Sequence, residues 1–331
     1  MKFRVKYWVL WSCFFIQWCH LSAQDAGFSQ FYSNPLYLNP AFAGTLDVPR
    51  LNFQYRDQWQ SFPEAYTTYS AAFDFPVEKL HGGVGINIVN DSKANGLLNS
   101  LQADLIYSSF IKISRYYTLS GSIEAGFHQN SLDWNSLVFP DNLDAYFGHH
   151  RTSAETPVAD PKYQFVDFAA GVLVYGQRMF GGLAVHHLTR PAQSYYEGQE
   201  EGDVLNRKYT LHYGIRIPVF IFGHWRKKFD VSPQLVAIQQ GRFMQFNYGL
   251  LANYRGFTIG TWFRQDLAFN YDSFIFLMGY MRKRWHFTYS YDYTVSGLNG
   301  LSGGTSEFSV GFLLKDLIKI TAFPFYRPYE D

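Results

Sequence analysis

The chemistry-bearing residues of this chain are few and poorly grouped. His186 and His187 form the sharpest pair, since imidazoles are common metal ligands. Neighbouring side chains on a strand point to opposite faces, so the two could share one ion only if the chain bends there. His149, His150 and Arg151 could together hold an anion or a metal, but they lie in what reads as a long loop, where solvated side chains are the ordinary outcome. Serines and histidines are available, yet no spacing singles out a Ser-His-acid triad, which is a matter of geometry and not of sequence position. Gly82-Gly83-Val84-Gly85 resembles a phosphate loop only superficially, because no Lys-Ser or Lys-Thr follows. Glycine packing at the start of a strand accounts for it better. Asn90-Asp91 and Asn95-Gly96 are turn formers. No catalytic, cofactor or metal site is assigned on these grounds, and the chain reads as a non-enzyme.

The elements that would position these residues are strands. Trp285, Phe287, Tyr289, Tyr291 and Tyr293 alternate with Arg284, His286, Thr288, Ser290 and Asp292. A strand with this pattern has one aromatic face and one polar face. A soluble sheet buries the apolar face, whereas a transmembrane barrel turns it to lipid and keeps the polar face inside. The same alternation sets Leu51, Phe53, Tyr55 and Trp59 against Asn52, Gln54, Arg56 and Gln58. It also sets Leu119, Ile123, Ala125 and Phe127 against Ser120, Ser122, Glu124 and His128, and Met244, Phe246, Tyr248 and Leu250 against Gln245, Asn247 and Gly249.

Alternation and turn punctuation mark about fourteen strands. They run over 51–60, 66–75, 82–91, 99–112, 116–128, 164–175, 179–188, 208–220, 229–239, 243–254, 257–265, 273–282, 284–294 and 306–314. Most are long enough to cross a bilayer at a tilt, which takes about ten residues. The connections alternate in length, as outer loops and periplasmic turns should, with 221–228 a moderate exception and 240–242 short where a long loop is allowed. The long ones are 129–163, 189–207 and 295–305, and the tight ones 113–115, 176–178, 255–256 and 283. The fold class expected is all-β, a transmembrane outer-membrane antiparallel barrel. Glu124, Arg264, Asp266 and Asp292 then become charges facing the lumen, as pore lining or internal salt bridges. Small inward residues such as glycine and serine leave space there, or room for a plug.

The ends are different. Residues 1–23 read as a signal peptide, with Lys2, Arg4 and Lys6 before an apolar run and Ala23 at the cleavage point. Cys19 sits near a lipoprotein position, but Trp18 precedes it where a small residue is expected. Both cysteines, Cys13 and Cys19, fall inside that signal, which excludes a disulfide scaffold or Cys-ligated zinc in the mature chain. Residues 24–50 are rich in Asn, Pro and aromatics and are expected to be irregular, inside the lumen or across the periplasmic mouth. The barrel takes 51–314 and a tail 315–331, an edge segment or periplasmic extension. Pro140-Asp141-Asn142 could start a helical turn in the long loop. Aromatic residues make up 20% of the chain, a level suited to the girdles of a membrane barrel. A net charge of +1 argues against nucleic acid as a partner. Mean hydropathy is −0.18, which a barrel with half its strand residues facing water also gives.

Several stretches carry a family resemblance. Gln24-Asp25-Ala26-Gly27-Phe28-Ser29-Gln30-Phe31-Tyr32 followed by Asn34-Pro35-Leu36-Tyr37-Leu38-Asn39-Pro40-Ala41-Phe42-Ala43-Gly44 resembles the start of the PorP/SprF proteins. Tyr55-Arg56-Asp57-Gln58-Trp59, Gly82-Gly83-Val84-Gly85 ending in Asn90-Asp91, Leu137-Val138-Phe139-Pro140-Asp141, the run Gly181 to Pro191, and Tyr289-Ser290-Tyr291-Asp292-Tyr293-Thr294 with Gly303-Gly304 continue it in order. The resemblance covers nearly the whole mature chain. It implies an outer-membrane component of the type IX secretion and gliding machinery of Bacteroidetes, shaped like the fatty-acid transporter barrels. It implies a non-enzymatic role in export or surface attachment of cargo such as adhesins. The implied partners are outer-membrane lipid, a cargo protein with a C-terminal sorting domain, and components of the periplasmic secretion ring. Candidate partner-docking residues are Asn39, Pro40 and Phe42, with Arg56 and Trp59; the Asn39-Pro40 segment is expected to order the periplasmic mouth. The barrel alone would equally suit a channel for small apolar or sugar-like solutes, or an outer-membrane hydrolase. A soluble β-propeller would need a repeat of about forty residues that is not visible.

Overall fold

A computed structural model of the chain describes residues 25–62, 66–144, 148–149, 161–195, 203–220, 227–267, 270–297, 300–316 and 323. The signal peptide, His150 and Arg151, and the tail apart from 315–316 and Phe323 lie outside the described residues. The strands form a closed barrel of 14 antiparallel strands. They are β1 (Arg50–Gln58), β2 (Tyr66–Val77), β3 (Gly82–Lys93), β4 (Leu98–Lys112) and β5 (Tyr117–Leu132). Then come β6 (Lys162–Gly176), β7 (Met179–His186) and β8 (Lys208–Ile215, prolonged by Ile217–Phe220 after a break at Arg216). The circuit ends with β9 (Lys227–Gln240), β10 (Phe243–Tyr254), β11 (Phe257–Gln265), β12 (Tyr271–Arg282), β13 (Trp285–Thr294) and β14 (Thr305–Leu313). Each pairs with its neighbours in sequence, and β1 pairs with β14 from Arg50↔Leu313 to Gln58↔Thr305, closing the sheet without a free edge.

Burial is inverted relative to a soluble sheet. Phe53, Tyr69, Ile123, Phe168, Phe276 and Phe287 are exposed on the outside of the wall. Their strand neighbours Gln54, Ser70, Glu124, Asp167, Ile275 and His286 are buried inside. An apolar outer band and a mostly polar interior are what a lipid-facing barrel requires. No helix among the described residues is long and apolar enough to cross a membrane, so the strands make the crossing. Short turns close one end: Arg255-Gly256 joins β10 to β11 with positive φ at both residues (46° and 83°), the geometry a two-residue hairpin turn needs. By the loop-length rule this end is periplasmic, and β1 starts and β14 ends there. The long connections lie at the other end, where Pro140–Asn142 forms one turn of 3-10 helix.

Residues 25–48 run down the inside of the barrel. They start near the outer end and leave at the periplasmic end, where Arg50 opens β1. Asn-Pro occurs twice in this segment, and each time it starts a turn of helix. Asn34 caps α1 (Pro35–Leu38), accepting from the N–H of Tyr37, and Asn39 caps the turn Pro40–Phe42, accepting from the N–H of Ala41 at 2.9 Å. Asparagine at the cap with proline at the first helical position is a strong start signal. Phe31, Tyr32, Leu36, Leu38, Phe42, Leu46 and Val48 make a buried cluster with Leu173, Phe180, Trp262, Ile275 and Phe323 of the wall and tail. The hydrophobic core of this molecule is therefore the contact between plug and wall.

Candidate functional site

The lower half of the plug is held by shape. The Phe42 ring stacks on His212 of β8 at 5.1 Å and meets Phe323 edge-on at 5.2 Å. Tyr32 meets Phe180 of β7 edge-on at 5.2 Å. The Asn39 side chain donates to the carbonyls of Val172 and Leu183, both at 3.2 Å, and touches His212 Nε2 at 3.0 Å. Glycines in the wall make the room. A Cβ at Gly171 would run into the Asn39 side chain, and one at Gly83 into the Ala43–Gly44 backbone. The glycine-rich start of β3 is thus a seat for the plug. Below it, Arg50 grips Asp74 through Nε at 2.8 Å and a second nitrogen at 3.0 Å, and Asp74 also accepts from the Gly44 N–H at 2.8 Å.

The upper half is held by charge and hydrogen bonds. Glu307 of β14 accepts the backbone N–H groups of Ser29 at 2.8 Å and Gln30 at 3.0 Å, and pairs with Arg56 of β1 at 2.9 Å. Gln30 donates to the Glu307 carbonyl at 2.7 Å and accepts from Ser309 Oγ at 2.7 Å. Ser29 Oγ bonds Asp292, which pairs with Arg264 at 3.2 Å. These groups straddle β1 and β14, the closing seam. Across the lumen, Asp25 pairs with Lys208 at 2.6 Å and with His187 Nε2 at 2.9 Å, while Gln240 donates to it at 2.9 Å. Burial alone would raise the Asp25 carboxyl, but His187 and Lys208 outweigh it and hold it well below the usual carboxylate range. Burial would lower the His187 imidazole, yet Asp25 and Asp167 outweigh it and lift it to about 9. Above this latch, at the outer mouth, lies a cavity of about 340 Å³ between β3, β4, β5, β6 and the ribbon Ala192–Gln193.

Several expectations need correcting. His186 and His187 do not face opposite ways: φ of His187 is +59°, the strand ends there, and both rings are buried. The two rings are engaged by different carboxylates. His187 lies between two carboxylates, Asp25 and Asp167, and His186 Nδ1 lies 3.6 Å from Glu124. Both ring nitrogens of His187 are engaged by acids, so no hydroxyl completes a triad at it. Among the described residues no cluster of three metal-binding side chains is placed to hold an ion. Asp266 is not in the lumen but in the outer turn, accepting from the Asn270 backbone at 2.9 Å, the usual habit of an aspartate in a short connection. Of the docking candidates, Asn39, Pro40 and Phe42 are buried within the plug and Arg56 beneath it at the closing seam. Trp59 sits at the opposite, outer end, with its N–H on the Gly304 carbonyl at 2.9 Å and its ring edge-on to Tyr66 at 5.4 Å. Asp25, Ser29 and Gln30 enter the sequence reading only within the family-like start, and Lys208 and Glu307 not at all; only their positions in the fold bring them together.

Residues 20–312 match the family described as the type IX secretion system membrane protein PorP/SprF. This chain belongs to that family. No curated protein matches it in sequence. Among solved structures, a FadL homologue of Pseudomonas aeruginosa is similar at 12% identity, over 87% of this chain and 96% of its own, with a TM-score of 0.46. The Acinetobacter baumannii outer-membrane protein Omp33 gives 7% identity over 81% and 99%, with a TM-score of 0.43. A mutant of TodX, titled a monoaromatic hydrocarbon channel, gives 11% identity over 84% and 92%, with a TM-score of 0.44. The PorP/SprF membership and the barrel together place the protein in the outer membrane. Within this chain, the plug joins two mouths that differ in chemistry: a packed periplasmic closure with one buried ion pair, Arg50–Asp74, and an outer closure held by several ionic contacts.

Proposed function

We propose that this PorP/SprF barrel is a non-enzymatic component of type IX secretion that supports export or surface attachment of cargo proteins, acting as a sealed platform and not as the conduit. The observation that carries this reading is the plug. Residues 25–48 occupy the lumen with buried apolar rings below and an ionic network above, so a polypeptide has no path through while they are seated. A channel for small solutes would need the same segment to move. The partners in this reading are a cargo with a C-terminal sorting domain and periplasmic ring components. Asn39, Pro40, Phe42, Arg56 and Trp59 serve docking by fixing the plug and the rims, not by offering their own side chains.

The test uses the absence of cysteine beyond residue 23. Ser33 Oγ and Ser309 Oγ are 3.0 Å apart, so a Ser33→Cys, Ser309→Cys pair can lock the plug to β14. Deleting the gene should abolish surface display of a sorting-domain cargo, and the locked barrel should restore it as well as the wild type does. Normal display without the gene would remove the secretion role. Restoration by the wild type but not by the locked form would make the barrel a moving gate.

A further inference from the structure

The outer cavity is lined by groups that the plug does not use. Tyr163 and Phe165 are two residues apart on β6, so both face inward while Val166 and Phe168 face lipid. Their rings lie nearly parallel, 6.1 Å apart at 16°. Phe165 stacks in turn on His128 of β5 at 4.8 Å and 7°, and Tyr195 closes on Tyr163 edge-on at 4.8 Å. This is a strip of aromatic surface turned away from the membrane and toward a polar mouth. Lipid does not explain it. Opposite, Ser100 at the start of β4, on the inward face with Gln102 and Asp104, and Gln193 in the outer ribbon line the same space. They have no side-chain partner among the described residues.

The charged groups around the cavity are matched internally. Asp25 is paired with Lys208 and His187, and Asp91 lies 3.4 Å from Lys93. What remains to engage a ligand is therefore neutral: ring faces, an amide and a hydroxyl. An apolar solute would cover the rings but strand the amide and the hydroxyl without hydrogen bonds, a costly exchange. An ion would find no unmatched counter-charge. A pyranose ring answers both halves of the lining. Its C–H face packs on the electron-rich face of an aromatic ring, and its neighbouring hydroxyls donate to and accept from amides. A cavity of about 340 Å³ falls in the range of small-molecule sites. We propose that the outer mouth of this barrel binds a neutral sugar unit of a glycan, with Tyr163, Phe165 and Tyr195 as the stacking wall and Ser100 and Gln193 as its hydroxyl partners. The site lies directly above Asp25, so an occupant would rest on the latch that holds the plug.

The test is ligand-observed saturation-transfer NMR on the full-length protein in detergent. The probes are glucose, galactose, mannose, N-acetylglucosamine and their disaccharides, with toluene and a neutral tripeptide as competitors of other classes. At least one pyranose should bind. Tyr163→Ala and Gln193→Ala should each weaken it by about tenfold or more, and Tyr163→Phe should bind nearly as the wild type does. Heat-shifted gel mobility verifies that each variant is a folded barrel, and if Tyr163→Ala fails that check, Gln193→Ala decides alone. Failure of every sugar to bind the folded protein overturns the proposal. So does equal binding by the wild type and the alanine variants, or binding of toluene or the tripeptide in place of every sugar.

Discussion

The two halves of the plug are fastened by different physics. The lower half, from Tyr32 to Gly44, is packed: rings against rings, and backbone laid into the gap left by Gly83 and Gly171. The upper half, from Asp25 to Gln30, is wired: carboxylates, cations and backbone N–H groups, with little apolar contact beyond Phe28. Packing of the first kind is indifferent to pH and salt, whereas the second kind responds to both. The contrast implies that the plug loosens from the outside inward.

The strongest way to break this arrangement is at the bottom. Phe42→Ala removes the ring between His212 and Phe323 and leaves a cavity, at a cost of about 3–5 kcal/mol to plug seating. A thiol placed at Ser33 should then be labelled by maleimide roughly a hundredfold to a few thousandfold faster, since about 1.4 kcal/mol is a factor of ten. Gly171→Val should come next, because its side chain runs into Asn39; overpacking of this kind costs about 1–3 kcal/mol. The barrel itself should still form, shown by unchanged heat-shifted mobility, while labelling at Ser33 rises. Asp25→Asn should do less, about 1 kcal/mol, since the amide keeps a hydrogen bond to Lys208 or His187. Its effect should appear as faster labelling of a Cys at Ala26 with Ser33 unchanged.

The smallest expected effect is the most selective. His187 faces Asp25 from the plug, Asp167 from β6, His128 from β5 and Lys208 from β8. Its value in the fold, about 9, lies above its ordinary 6.5. The stabilisation it gives is therefore complete below about 6.5 and lost as pH rises through 9. Labelling at Ala26→Cys, corrected for the reagent's own pH dependence with an exposed Cys reference, should quicken across that window in the wild type. Asp25→Asn should flatten the response, and labelling at Ser33 should not follow it.

The wall of this molecule was legible because its signal is local. Each strand carries its own alternation, and 243–254 and 257–265 coincide with β10 and β11 residue for residue. Ends drifted where the polar face ran on into a loop, as in β5, which continues to Leu132 through Gln129, Asn130 and Ser131. The plug was harder to read. Its residues have no period, and the two Asn-Pro caps span one turn each, too short for a helical pattern to show. Its partners lie far away in the chain: Ser29 meets Glu307, and Asp25 meets Gln240. The bend at His187 was hidden for another reason. Positive φ in a histidine leaves no mark in its own residue type, and only the buried acids on both sides of the ring justify it.

The upper fastening also has a consequence for how the barrel comes together. Ser29 and Gln30 are held by Arg56 and Gln54 of the first strand and by Glu307 and Ser309 of the last. That fastening is complete only after the whole chain has been made and the ends of the sheet have met. Contacts spanning so much of the sequence form late in folding. Once formed, they act as a staple across the one join where the cylinder could unzip sideways.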